Sequence, residues 1–333
     1  MPQNSFAPAG PREKRELRLR TARLSLAGGI SLCLLKLATG ILAGSLGLLA
    51  SAADNMGDIL MSFVNLISVR KAMDPADESH PYGHGKVETV ATLLQGGVIA
   101  LTGAGVVWEA VRRLREGVAP AGIGLDAGIF VMAFSMAASW WLSERIRKDG
   151  EASGSTALVA NSLQFRTDVY SGAGVLFSLV LFRLTGWKWL DPGIALAVGV
   201  YIFVVAQPLL AGAAQELLDR GLPRETVREI ERIIDAHRPM VRDYHALRTR
   251  RSGPELHVDF HVVMCRELPL GDAHRVVDHL EHEIHELLGT AQVVTHIDPC
   301  DIACGGVREC ARVRKMVHEF DGPGYDRRKG EAR

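Results

Sequence analysis

The first two thirds of the chain consist of long apolar stretches separated by short polar segments. A helix needs about 20 mostly apolar residues to cross the hydrocarbon core of a bilayer. We therefore predict a basic N-terminal tail over residues 1–23, followed by a six-helix transmembrane domain over residues 24–214. The six predicted spans are Leu24–Ala43, Leu46–Ser68, Val87–Leu114, Ile123–Ile146, Thr156–Leu184 and Leu190–Ala214.

After residue 214 the pattern changes to amphipathic helices and alternating strands. Apolar residues at helical spacing predict helices over Leu222–His237 and Leu270–Leu288. Alternation of apolar and polar residues predicts three strands: Asp243–Thr249, Leu256–Met264 and Gln292–Ile297. The order α-β-β-α-β predicts a small open α/β sandwich within residues 215–310, and we expect residues 311–333 to be disordered.

The charges are distributed as unevenly as the apolar residues. The 333 residues include 38 basic and 38 acidic side chains, and this zero net charge argues against a nucleic-acid-binding protein. Residues 1–214 carry only 35 of these 76 charges, and ten of the twelve histidines follow residue 236. The chain therefore combines a charge-poor membrane domain with a charge-rich domain that carries most of the histidines.

Basic side chains near the ends of membrane helices indicate the orientation, since they are enriched on the cytoplasmic side. With a cytoplasmic N-terminus, twelve basic residues of the tail and the membrane domain lie inside and five outside, although the Arg112–Arg115 cluster then lies outside. We therefore expect a multi-pass protein of the cell inner (plasma) membrane, with both termini in the cytoplasm.

Acidic residues within two of the predicted spans indicate a cation site in the membrane. Asp54 and Asp58 are spaced i, i+4, as are Gln164 and Asp168, so each pair lies on one helical face. The two helices together offer four oxygen ligands, whereas three carboxylates without a cation would repel one another and take up protons. Hydrogen bonds between helices are the alternative for the polar residues there, but they leave the three acids unexplained.

The loop between the second and third spans carries a second group of metal ligands. Asp77, His80 and His84 follow one another at spacings of three and four residues. A carboxylate combined with two imidazoles suits a transition-metal ion, Zn²⁺ above all. A solvated loop with two ordinary histidines is the alternative.

Taken together, these motifs resemble the cation diffusion facilitator family, in particular its bacterial zinc/ferrous-iron efflux transporters. The motifs are Ser51-Ala-Ala-Asp54-Asn-Met-Gly-Asp58, Pro75-Ala-Asp77…His80-Pro-Tyr-Gly-His84-Gly-Lys86-Val-Glu88 and Asn161…Phe165-Arg-Thr-Asp168. The resemblance implies a homodimeric, proton-coupled exporter of a divalent metal ion, with a metallochaperone-like cytoplasmic domain. Such a protein makes and breaks no covalent bond, so we do not expect an enzyme.

The resemblance also implies roles for the membrane residues. Asp54, Asp58 and Asp168 match transport-site ligands, and Gln164 stands where a histidine is usual. An amide does not take up a proton near neutral pH. Its oxygen is also a harder ligand than the imidazole nitrogen of histidine. Zn²⁺ and Fe²⁺ are therefore the first candidate substrates, and Mn²⁺ is a third.

In the C-terminal domain, five residues align with the family's binuclear zinc site: His245, His261, His274, His296 and Asp298. By this resemblance, the Asp298 carboxylate bridges the two ions, and Zn²⁺ has a structural or regulatory role. We expect the remaining histidines of this domain to be solvated surface residues: His237, His257, His279, His282, His285 and His318.

Two further functions remain open at the level of sequence. A dimeric metal sensor or scaffold that does not transport would keep the cytoplasmic site while Gln164 disables the membrane site. A passive cation channel would carry ions without regard to a pH gradient.

Overall fold

The computed structural model describes residues 11–42, 46–116, 126–185, 187, 189–289, 291–301, 307–319, 325–326 and 331–332. These residues form two compact units, one within Ala9–Leu217 and the other within Leu218–Arg333. The sequence placed the boundary between the two domains after residue 214.

The N-terminal unit consists of six long helices. They are α1 Pro11–Leu42, α2 Leu46–Ala72, α3 Lys86–Glu116, α4 Asp126–Ser153, α5 Thr156–Thr185 and α6 Leu190–Leu217. The shortest has 27 residues, which at 1.5 Å per residue gives about 40 Å, more than the bilayer core of about 30 Å. Within the described residues, three segments are both long and apolar enough to span a membrane by composition: Glu13–Leu42, Lys86–Glu116 and Pro192–Leu217.

The basic segment before the first predicted span is helical from Pro11 onward. Helix α1 begins at Pro11 and continues without a break into the apolar stretch. The guanidinium of Arg18 donates from Nε to the Ser153 carbonyl at 3.1 Å, and Thr21 Oγ1 donates to Asp149 Oδ2 at 2.7 Å. These contacts to the end of α4 stabilise the helical segment. The rest of the predicted tail, residues 1–10, lies outside the described residues.

Helices α3 and α6 approach closely through two glycines. A Cβ atom at Gly103 would lie 2.7 Å from the backbone nitrogen of Phe203, and one at Gly199 would lie 3.0 Å from the carbonyl oxygen of Gly103. Small residues allow helix backbones to pack this closely in lipid, where van der Waals contact drives association.

The C-terminal unit has the predicted order of elements. It contains α7 Arg224–Ala236, β1 Val241–Ser252, β2 Glu255–Met264, α8 Leu270–Leu288 and β3 Ala291–Pro299. The strands form one sheet in the order β1-β2-β3, with β1 antiparallel and β3 parallel to the central β2. The predicted α-β-β-α-β sandwich is confirmed.

One face of this sheet is covered by helices, and the other is open. Val258, Phe260 and Val262 of β2 are fully buried in a core that includes Val276 and Leu280 of α8. Because side chains alternate along a strand, the residues between them point to the opposite face. That open face carries His261, which lies directly beside His245 of β1 and His296 of β3 in the strand register.

Part of the segment expected to be disordered is ordered. Helix α9 spans Val307–Glu319, and its Val313 and Val317 are buried in the core of the C-terminal unit. These two valines are spaced i, i+4, so they form an apolar stripe on an otherwise charged helix. Two short strands follow, β4 Tyr325–Asp326 and β5 Glu331–Ala332, which pair with each other. The expectation of disorder after residue 310 is therefore wrong for these residues.

Candidate metal centres

The intramembrane group joins α2 to α5. The amide of Gln164 on α5 donates from Nε2 to Oδ1 of Asp58 on α2. Asp168 lies one helical turn beyond Gln164 and is half-buried. The fourth predicted ligand, Asp54, belongs to α2, but its side chain lies outside the described part of the structure. The structure thus brings Gln164 together with Asp58, which are 106 positions apart in the chain.

A residue that the sequence reasoning missed contacts this group. Gln95 of α3 donates from Nε2 to Oε1 of Gln164 at 2.7 Å, and Gln95 is 2% exposed. Both ends of the Gln164 amide are therefore engaged, its oxygen by Gln95 and its nitrogen by Asp58. In the sequence, Gln95 is a single amide within an apolar span. A polar side chain in that environment needs a partner, and this feature could have indicated the contact.

Other polar residues of the membrane unit make hydrogen bonds between helices. Lys36 Nζ of α1 donates to Asn55 Oδ1 of α2 at 3.0 Å. Asn161 of α5 donates from Nδ2 to Ser62 Oγ at 3.3 Å and also contacts the Ser25 hydroxyl. Interhelical hydrogen bonding therefore explains Asn55 and Asn161. Asp58 also accepts such a bond, from Gln164, but a neutral oxygen would accept it as well, and a charge within a membrane helix is costly.

The loop group also comes together. Nδ1 of His80 lies 3.4 Å from Oδ1 of Asp77, and Nε2 of His84 lies 3.3 Å from its Oδ2. His80 is exposed, whereas the His84 side chain is 4% exposed. The hydrogen bond from the Ser79 hydroxyl, followed by that from the His80 backbone N–H, lowers the pKa of Asp77 to about 2. The carboxylate is thus charged at neutral pH, and one ligand atom from each residue lies within 4.8 Å of the others.

Four of the five predicted residues of the C-terminal site meet around Asp298. Its Oδ2 lies 2.9 Å from His261 Nδ1 and 3.3 Å from His245 Nε2, and its Oδ1 lies 3.3 Å from His296 Nε2. The hydrogen bond with His261 is the main cause that lowers the pKa of Asp298. Adjacent positions on three strands thus place three imidazoles around one carboxylate on the open face of the sheet.

The fifth residue, His274, does not join this group within one copy of the chain. It lies on α8, which packs against the covered face of the sheet. Its Nε2 lies 3.5 Å from Oδ2 of Asp278, one turn further along the same helix.

A further group contains histidines that we expected to be solvated. His237 and His257 are buried, which corrects that expectation for both residues, and the side chain of His318 lies outside the described part of the structure. One ligand atom each from His237, His279 and Glu283 lies within 4.8 Å of the others. Long-range packing of α7 against α8 creates this group, so spacing along the chain could not indicate it.

Comparison with known families agrees with this architecture. Residues 22–218 match the cation efflux transmembrane domain, and residues 222–300 match the cation efflux protein cytoplasmic domain. The chain belongs to the cation efflux family. The resemblance to cation diffusion facilitators is therefore confirmed, and the N-terminal unit of this cation efflux protein is a transmembrane domain.

Several curated relatives of this cation efflux protein carry the name cation-efflux pump FieF. The protein from Pectobacterium atrosepticum is 35% identical over 260 residues, which cover 77% of this chain and 84% of the relative. The one from Klebsiella pneumoniae is 33% identical over 285 residues, which cover 85% and 93%. A solved structure of CzrB in its Zn form is 33% identical over 24% of this chain and 92% of that chain, with a TM-score of 0.22.

Proposed function

We propose that this cation efflux protein exports Zn²⁺ or Fe²⁺ from the cytoplasm in exchange for protons, with Mn²⁺ as a third candidate. The observation that carries the proposal is the contact between Gln164 and Asp58 across two membrane helices, with Asp168 one turn away. Carboxylate and amide oxygens bind divalent first-row metals, and Zn²⁺ is bound more tightly than Fe²⁺ or Mn²⁺ at most sites.

Binding of the ion requires a change at Gln164. An amide nitrogen donates hydrogen bonds and has no lone pair to offer a cation, so Gln164 must present Oε1 to the ion. The amide must therefore rotate about its terminal bond, which ends the hydrogen bond from Gln95 and the contact of Nε2 with Asp58. Asp54, Asp58, Asp168 and Gln164 then supply four oxygen ligands.

Proton exchange rests on the carboxylates. Like charges at close range raise the proton affinity of carboxylates, and a bound divalent ion removes that repulsion. Protons that arrive from the outer side displace the ion, and departure of those protons prepares the site for the next ion. The cycle breaks no covalent bond of a substrate, so the protein acts as a transporter and not as an enzyme.

The C-terminal unit is assigned a regulatory role in a homodimer. The family of cytoplasmic domains that it matches carries the name ZT_dimer, which supports a dimer. The ligand atoms around Asp298 fit Zn²⁺, which takes imidazole and carboxylate ligands. The loop group of Asp77, His80 and His84 has the same donor types. The distribution of basic residues and the family's cytoplasmic-domain description support an inner-membrane protein with both termini in the cytoplasm.

The test is metal flux into reconstituted vesicles, measured for Zn²⁺, Fe²⁺ and Mn²⁺ with and without a pH gradient. Wild type, Asp58→Ala, Asp168→Ala and Gln164→His are compared, and Asp259→Asn, which removes an exposed carboxylate of the C-terminal unit, serves as the control. We expect gradient-dependent flux in wild type and in the control, and none in the two alanine variants.

Each alternative predicts a different result. A scaffold or sensor carries no metal as wild type and gains transport through Gln164→His, because imidazole restores a titratable ligand. A channel shows flux that does not respond to the gradient. Flux that persists in Asp58→Ala and Asp168→Ala contradicts the membrane site.

A further inference from the structure

The C-terminal end of α7 and the middle of α8 bring two imidazoles and a carboxylate together outside the sites discussed above. His237 follows the last residue of α7, while His279 and Glu283 lie one turn apart on α8. His279 Nε2 lies 3.2 Å from Glu283 Oε1, and His237 Nε2 lies 3.9 Å from Glu283 Oε2. The two helices cover the face of the sheet opposite to Asp298, so this group is separate from the histidines on the open face.

The orientation of His237 is that of a metal ligand. Its Nδ1 lies 2.8 Å from the backbone carbonyl oxygen of Ile233. A carbonyl oxygen only accepts hydrogen bonds, so Nδ1 carries a proton, and in the neutral ring Nε2 has the lone pair. Metal-binding histidines usually donate their other ring N–H in this way, which fixes both the tautomer and the ring orientation. For His237, the nitrogen that can bind a metal points toward Glu283 and His279.

The separations fit a tetrahedral ion. Zn–N and Zn–O bonds of about 2.0–2.2 Å place neighbouring ligand atoms about 3.4 Å apart. The distances from His279 to Oε1 of Glu283, 3.2 Å, and from His237 to Oε2, 3.9 Å, lie on either side of that value, and one ligand atom from each residue lies within 4.8 Å of the others. The side chains of His237 and His279 are 6% and 14% exposed, whereas that of Glu283 is 38% exposed. An ion can therefore enter beside Glu283, and water can fill its fourth position.

We propose that His237, His279 and Glu283 form an additional Zn²⁺ site, which ties the end of α7 to α8. The site takes a divalent ion of the borderline class that prefers imidazole with carboxylate. Since α7 is the first helix after the membrane domain, the ion holds the start of the C-terminal unit against its central helix. This proposal does not depend on transport, because binding at this site is measured without flux.

A neighbouring pair on the same helix provides a matched control. His282 and Glu286 repeat the i, i+4 arrangement, with 3.3 Å between Nε2 and Oε1, and the His282 side chain is also 14% exposed. This pair belongs to none of the three-residue ligand groups found among the described residues. Its loss removes a histidine and an ion pair from α8 but no Zn²⁺ ligand of the proposed site.

The first measurement is the number of Zn²⁺ ions bound per chain by the purified full-length protein in detergent, determined by equilibrium dialysis. We expect His279→Gln and Glu283→Gln each to bind one ion fewer than wild type, and His282→Gln to bind the same number. Equal numbers for wild type, His279→Gln and Glu283→Gln would overturn the proposal, and so would loss of the same ion in His282→Gln.

Hydrogen exchange of the same samples locates the ion. Some amides near residues 233–237 can open only after the ion has dissociated. At a free Zn²⁺ concentration of about 100 times Kd, these amides exchange about 100-fold more slowly than in metal-free protein. Glu283→Gln abolishes this slowing, and His282→Gln preserves it. Unchanged exchange at these amides in wild type contradicts the site. The exchange of β2 amides in metal-free protein shows whether a variant is folded. If His279→Gln is misfolded, the result for Glu283→Gln tests the proposal.

Discussion

Gln95 donates a hydrogen bond of 2.7 Å to Oε1 of Gln164, and the other end of the same amide, Nε2, faces Asp58. With Oε1 held by Gln95, the Gln164 nitrogen points at the carboxylate, in the orientation opposite to the one that metal binding requires. In the proposed mechanism, a residue on α3 therefore competes with the ion for the oxygen that α5 would contribute. Gln95 is a positioning residue in this account, because it acts on the ion only through Gln164.

Replacement of Gln95 by leucine removes the donor that competes with the metal for Gln164 Oε1. A hydrogen bond of this kind contributes about 0.5–1.5 kcal/mol, so we expect the apparent KM for the transported ion to fall about two- to tenfold. The measurement is the initial rate of vesicle uptake as a function of metal concentration, for wild type and Gln95→Leu.

Thr102→Val is the control for Gln95→Leu. The Thr102 hydroxyl on the same helix donates to a carbonyl of its own helix, that of Val98, at 3.0 Å and in an exposed position. Its loss should leave KM unchanged. A KM that stays constant or rises in Gln95→Leu shows that the Gln95 bond does not restrain the ligand.

The pH dependence of metal binding at the loop should not come from Asp77. The pKa of Asp77 is about 2, below its ordinary value, so its carboxylate stays charged until the pH falls toward 2. We expect Asp77→Asn to weaken Zn²⁺ binding by at least about tenfold while its pH dependence between pH 5 and 8 is unchanged. Equilibrium dialysis over this pH range measures the effect. The Zn²⁺ bound by His84→Ala is subtracted, because it represents binding at the other sites. A changed pH dependence in Asp77→Asn would mean that the carboxylate itself titrates there.

The contact between α3 and α6 should tolerate no side chain at Gly103. A methyl group there meets the backbone of α6 at 2.7 Å, and backbone atoms cannot move aside as a flexible side chain can. We expect Gly103→Ala to destabilise the membrane unit by about 1–3 kcal/mol. Gly105→Ala on the same helix is the control, since no atom of the described residues lies within 4 Å of its added Cβ. The thermal unfolding temperature in detergent compares them, and equal temperatures for the two variants contradict the close contact.

The sequence by itself determined the elements of this protein. Membrane helices depend on apolar length and strands on alternation, and both are local properties of the chain. The α-β-β-α-β order was predicted for the same reason. Helix α9 was not predicted because its apolar stripe is short. The helix is stabilised only when Val313 and Val317 pack into the core.

Only the tertiary structure decided which further polar groups join the predicted ones. The sequence grouped Asp58 with Gln164 and Asp168, but Gln95 lies on a third helix, and only packing brings it to Gln164. Likewise, His237 and His279 meet because α7 and α8 bury one common core. Local spacing follows directly from the sequence. Contacts between side chains that are distant in the chain depend on how the elements bury their apolar faces against one another.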